Sequence, residues 1–216
     1  MSTTLTLYHS RGSCSLAVHV ALEEAGAVYE SIDVDIGHGA QRQPDYLAVN
    51  PKGKVPVIAE GSWVLTETTA ILAFIARRHP GADLWPADPA EEGRLLEWLA
   101  TISSAVHPAY SHVARPERYA TSQAAKKDVA AKGVENCRQQ WAAVDERLAE
   151  GPWALGRRYS VADPYLLVFW RFGAGPTLGF DMARSFPRWT DHTRRMLERP
   201  AVRRTFEQED LDLPAL

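Results

Sequence analysis

Residues 7–26 read LYHSRGSCSLAVHVALEEAG, and the stretch changes grammar in its middle. Up to Tyr8 the chain alternates, with Leu5 and Leu7 set between Thr4, Thr6 and Tyr8, the period of a half-buried strand. From Ser15 to Ala25 the pattern turns helical: Leu16, Val18, Val20 and Leu22 stand among good helix formers, and Gly26 marks the stop. Between strand and helix lies a Gly/Ser-rich turn with one cysteine, Cys14, where the helix begins. That thiol can be a nucleophile, a ligand contact or a small residue fitted to a tight corner. A helix N-terminus carries roughly half a positive charge and can draw a thiol from about 8.5 to roughly 3.5–7.5. No second cysteine follows three positions on, so any reaction at Cys14 is that of a monothiol.

Working outward, ESIDVDI (30–36) predicts a second strand, with Ile32, Val34 and Ile36 on one face. The polar segment 37–53 holds a short helix at most. KVPVIA (54–59) and WVLTE (63–67) read as strands joined by a tight turn, which makes them antiparallel and the sheet mixed. TTAILAFIARRH (68–79) is a helix with Ala70, Ile71, Phe74 and Ile75 as its apolar stripe and Pro80 as its stop. After a linker rich in Pro, Gly and Asp the strand signals cease. Helices are predicted around 94–110, 126–151, 159–172 and 186–202, the last stopping near Pro200. Ser160 and Asp163 have the spacing of an N-terminal cap, with Pro164 in the tolerated first turn. The expected division is an α/β domain over 1–80, a linker over 81–93 and an all-helical domain over 94–216.

The 216 residues carry a formal net charge of -3, which excludes the footprint of a nucleic-acid binder or a polybasic membrane surface. The arginines of 194–204, interleaved with Glu198, Glu207 and Glu209, read as a solvated helix face. No secretory signal and no apolar run of about 18 residues is found, so a cytoplasmic, non-membrane protein is expected. The two cysteines, Cys14 and Cys137, lack metal-ligand spacing, and no metal is expected. Cys137, in a helical neighbourhood, reads as core.

Other residues can carry chemistry. Val55-Pro56 interrupts a strand-like run; proline belongs at an edge, at a strand start or in a cis bond that turns the backbone outward. An outward Val55 offers its N–H and C=O to a peptide-like ligand. Glu67, Thr68 and Thr69 sit at a helix entry, where hydroxyls and free N–H groups hold a carboxylate and Glu67 can take an amine. Routine capping by Thr66 or Thr68 is the plainer alternative. His107, beside Pro108, is either a site residue or a core histidine.

Together these blocks resemble the glutathione transferases. GSCSLAVHVALEEAG, NPKGKVPVI and LTETTAILAFIA look like the bacterial beta class, and EWL…SSAVH and YSVADPYLL extend the match through nearly the whole chain. The resemblance implies a thioredoxin-like N-terminal domain followed by a helical bundle, assembled as a homodimer. It implies a detoxifying transferase that joins glutathione, its co-substrate, to a small hydrophobic electrophile, or that exchanges thiols and disulfides through Cys14. It places Cys14 beside the glutathione sulfur and pairs Val55, ahead of a cis Pro56, with the cysteinyl backbone. Glu67 and Thr68 hold the γ-glutamyl end, and Ser104 and His107 border the site. Ser160 and Asp163 resemble the family's folding motif. The chain departs from the pattern in IGHGAQRQ (36–43), where His38 or Arg42 stands in for a lysine on the glycyl carboxylate, and at Ala100 and Pro108. Those departures sustain a second possibility, a non-enzymatic ligand-holding or protein-interaction protein.

Overall fold

A computed structural model describes residues 4–216, which form two compact units. The first comprises Met1–Pro86 with Leu197–Leu213, so the end of the chain returns to the domain that began it. Its strands are β1 (Leu5–His9), β2 (Tyr29–Asp33), β3 (Val57–Glu60) and β4 (Trp63–Thr66), in the order β2-β1-β3-β4. β1 runs parallel to β2 and antiparallel to β3, and β3 and β4 form the expected hairpin. With α1 (Ser15–Glu24), α2 (Pro44–Val49) and α3 (Thr68–Arg78) the topology is thioredoxin-like.

α1 is buried on every side from Ser15 to Leu22 rather than along one stripe. Such a helix lies in a core. It packs on β1, α3 and a helix absent from the sequence reading, α10 (Pro200–Gln208). Leu16, Val18, Val20 and Leu22 are fully enclosed, each contributing roughly 1.5–3 kcal/mol. Beyond α1 the chain turns at Gly26 (φ 59), and the Ala27 N–H closes back on the Leu22 carbonyl. β2 is shorter than expected and sits at an edge, which leaves Ile32 44 % exposed, while Val34 beyond it packs against Tyr46 and Val57.

The second unit, Ala87–Met196 with Pro214–Leu216, is helical. α4 (Pro89–Thr101) starts inside the expected linker because Asp88 caps it, accepting the N–H groups of Ala90 and Glu91. The single helix expected over 94–110 is broken: Ile102–Val106 is wound as a π-helix segment before α5 (His107–Ala114). Pro108 has no N–H for the Ser104 carbonyl, and the wider winding absorbs that loss. α6 (Gln123–Arg147) and α7 (Ala162–Ala174) build an aromatic core of Trp141, Phe169 and, from α9 (Pro187–Glu198), Trp189. α8 (Met182–Ser185) is a single turn. Asp163 accepts from the Ser160 N–H at 2.7 Å and the Ala154 N–H at 2.7 Å, with His192 Nε2 2.9 Å away. The cap is thus structural and fully buried.

Candidate functional site

The sheet register gathers three segments at one end of the first unit. Tyr8 pairs with Val57 and Val57 with Thr66. Continuing β1 forward leads to the Cys14 turn, stepping back from β3 leads to Val55-Pro56, and continuing β4 leads to Glu67 and Thr68. No local pattern in any one segment encodes that meeting; the antiparallel pairing does.

The Cys14 turn is built from hydroxyls. Ser15 Oγ accepts the Ser10 N–H at 3.0 Å and donates to the Ser10 carbonyl at 3.1 Å, while Ser13 Oγ accepts the Ser15 N–H at 3.2 Å. Gly12 takes φ 65, a conformation that favours glycine. Cys14 itself caps α1 without a side-chain hydrogen bond. Burial with no compensating cation pushes its thiol up to about 12. Burial thus works against the acidification a helix end can give, and the protonated thiol is a hydrogen-bond donor.

The Val55-Pro56 bond is cis. β3 is an inner strand, so the edge-strand alternative fails, and Pro56 precedes the strand and removes no ladder donor. The loop before it is clamped: Tyr46 Oη and Asn50 Nδ2 both donate to the Lys54 carbonyl, at 2.6 and 2.7 Å. Val55 takes no backbone hydrogen bond among the described residues.

Glu67 stands at φ 73, ψ 118 ahead of α3, and no side chain caps that helix, so the capping alternative for Thr66 or Thr68 is not realised. A non-glycine residue held at positive φ stores strain, which collects at ligand clamps. Thr68 is buried, whereas the Glu67 side chain is exposed and paired to Lys52 Nζ at 2.7 Å. The Lys52 hydrogen bond, outweighing desolvation, holds the Glu67 carboxyl below its ordinary value. Lys52 also donates to Thr66 Oγ1 at 3.1 Å. It was missed in the sequence, although a lysine in NPKGKVP beside the cis proline was the available signal. His38 is engaged locally, its Nδ1 2.6 Å from Asp35 Oδ2, and Arg42 ends a short 3-10 turn.

A second missed group lies beneath the thiol turn. Glu209 belongs to no solvated face; it is fully buried. Its carboxylate accepts the Gly12 N–H at 2.7 Å and His19 Nδ1–H at 2.9 Å, and His9 Nδ1 makes a looser electrostatic contact at 3.4 Å. Burial opposes ionisation there, but the hydrogen bond from His19, the nearby His9 ring and the Gly12 N–H together outweigh it and hold the carboxyl at about 2. The arginines of the same helix are also engaged, Arg199 with Glu24 and Arg204 with Glu23.

Ser104 and His107 lie in the second unit. Ser104 is exposed in the π-wound segment, and the half-buried His107 ring lies tilted against Phe169, centroids 5.4 Å apart. Cys137 is fully enclosed in α6, as expected of a core residue.

The glutathione S-transferase N-terminal domain model matches residues 3–77 and the C-terminal domain model residues 98–200. Glutathione S-transferase GstA of Escherichia coli O157:H7 is 30% identical over 210 residues, covering 96% of this chain and 100% of that protein. A glutathione transferase homologue from Sulfitobacter, solved with bound glutathione, superposes with TM-score 0.90 at 35% identity, over 95% of this chain and 98% of its own. The bacterial beta class glutathione S-transferase of Sphingomonas chungbukensis does so with TM-score 0.81 at 34% identity, over 96% and 100%.

Proposed function

The chain belongs to the glutathione S-transferase family, and from that premise we propose that it conjugates glutathione to small hydrophobic electrophiles with Cys14 as a thiol donor to the glutathione sulfur. It is a glutathione transferase with glutathione as co-substrate. The observation that carries the finer reading is the convergence of the Cys14 turn, the unbonded Val55 backbone and the Glu67-Thr68 helix start at one end of the sheet. In this reading the Val55 N–H and C=O pair with the cysteinyl backbone in the manner of a short added strand. Glu67 takes the γ-glutamyl ammonium, and the uncapped start of α3 with Thr68 takes its carboxylate. Lys52 already pairs with Glu67 and is a cation that a ligand carboxylate can recruit.

Chemically, the glutathione thiol gives its proton to solvent. The resulting thiolate is stabilised by Cys14 S–H donation and the positive end of α1. Its electron pair forms the carbon–sulfur bond as the leaving group departs with the bonding pair. Exchange of Cys14 with a glutathione mixed disulfide requires the Cys14 thiolate, which a thiol pushed up to about 12 supplies poorly at neutral pH.

Titration calorimetry with reduced glutathione is the test. Saturable binding is expected, and a folded protein that binds none overturns the reading. Cys14→Ala should then keep glutathione binding and lower conjugation by about tenfold to a hundredfold, the worth of one hydrogen bond to a charged sulfur. Complete loss of turnover would favour the covalent role instead. Ser104 and His107 are expected ligands from the resemblance, and His107→Ala should raise the glutathione Kd.

A homodimer in the cytoplasm completes the proposal. Trp63 on β4 is 41 % exposed and its ring packs 4.7 Å from Phe74, an apolar surface suited to a second copy. No helix is long and apolar enough to cross a membrane among the described residues. Sedimentation as a monomer would overturn the dimer.

A further inference from the structure

We infer that Glu209, contributed by the far end of the chain, is a positioning residue for the thiol site, holding the Cys14 turn through the backbone N–H of Gly12. The inference rests on the proposed role of Cys14 for its functional meaning, though not for its test.

Two anchors within the buried part of the turn Ser10–Cys14 come from different parts of the chain. One is local, the hydroxyl knot of Ser13 and Ser15 around Ser10. The other comes from 197 residues away: Glu209 Oε2 accepts the Gly12 N–H at 2.7 Å, two residues before the thiol. The next residue adds an exposed grip, because Asp210 Oδ2 accepts from Arg11 Nη1 at 3.2 Å while Arg11 Nε reaches Asp33 at 3.0 Å. Consecutive residues after α10 therefore hold consecutive residues of the turn.

Several features make Glu209 more than a docking contact for α10. That helix is already tied to α1 by Arg199–Glu24 and Arg204–Glu23, on a different part of its surface from the turn. Glu209 is fully buried, and an ionised carboxylate is carried into a core only where donors meet it. Here two N–H donors converge, Gly12 from the turn and His19 from the middle of α1, and His9 at the end of β1 stands in electrostatic contact at 3.4 Å. β1, turn and α1 are thus tied through one carboxylate. Because that group is held ionised, Nδ1 of His19 is its protonated nitrogen. Loss of the carboxylate would remove this anchor from the Gly12 N–H and loosen the placement of Cys14 and of the first turn of α1. A misplaced donor beside the reacting glutathione sulfur is enough to cost catalysis.

The experiment measures alkylation of Cys14 by iodoacetamide, quantified on the Cys14 peptide by mass spectrometry, with the Cys137 peptide as internal reference. Glu209→Ala should speed Cys14 alkylation by about tenfold as the turn opens locally. It should also lower kcat for conjugation more than it raises KM for glutathione, since the residue it places acts on the thiolate. Glu209→Gln, whose amide oxygen can still accept from Gly12, should restore slow alkylation. Arg204→Ala loosens α10 without touching the turn and should leave the rate unchanged. Where Glu209→Ala fails to fold, Glu209→Asp keeps the charge but shortens the reach and should still speed alkylation. An unchanged Cys14 rate in a folded Ala or Asp variant overturns the inference, as does an equal acceleration in Arg204→Ala. The alkylation arms need no glutathione, so a wild-type protein that binds none would remove the proposed function while leaving the positioning result readable.

Discussion

Two glutamates flank the candidate site and are held below their ordinary carboxyl value by opposite means. Glu209 is enclosed, with its oxygens directed at N–H donors of the chain itself. Glu67 is exposed, paired with the mobile end of a lysine, and carried on a backbone at φ 73. A closed carboxylate organises what surrounds it, because exchanging its partners would strand a buried charge. An open one can trade a lysine for a ligand ammonium at small cost, since exposed ion pairs are worth about 0–1 kcal/mol. Similar ionisation therefore says little about role, and enclosure decides it.

The largest test of that contrast is stability. Glu209→Ala should cost about 3–5 kcal/mol in denaturant unfolding, the usual toll of removing one partner from a buried charged network. Glu67→Ala should cost under about 1 kcal/mol and act on glutathione affinity instead. Equal losses would erase the distinction.

Acid sharpens it. The Glu209 carboxyl sits at about 2 in the folded chain against an ordinary 4.5, so it stabilises the fold above pH 4.5 and loses that contribution as pH falls toward 2. The full contribution is roughly 3 kcal/mol. Glu209→Gln should flatten this part of the acid limb, in which His9, His19 and Tyr29 are the titratable neighbours. A limb identical to wild type would count against an ionised, buried Glu209.

The smallest effect separates strain from binding. Glu67→Gly relieves a positive φ and should raise stability by about 1 kcal/mol while weakening glutathione binding. Gains in both would show that the Glu67 side chain has no part in the site.

Much of this was legible in local pattern. The strand–turn–helix around Cys14, the hairpin, the proline at Val55-Pro56 and the Ser160/Asp163 cap each follow from a period or a turn preference spanning a few residues. Ile32 and the 94–110 helix went astray where neighbours overrode the pattern: an edge strand exposes both faces, and Pro108 diverts the winding of the segment before it. The helix start at Cys14 was legible in the pattern, while the burial that pushes its thiol up was not.

Sequence by itself determined the two-part order of an α/β half and a helical half, and it placed a thiol, a proline and a carboxylate at three segment ends. Only the tertiary structure decided that those ends meet, since strand pairing brings together residues that share no local period. It alone decided the fate of Glu209. Among charged neighbours that residue looks solvated, and its burial follows from α10 docking on α1, a contact across nearly the whole chain paid for by apolar area and by donors supplied from elsewhere.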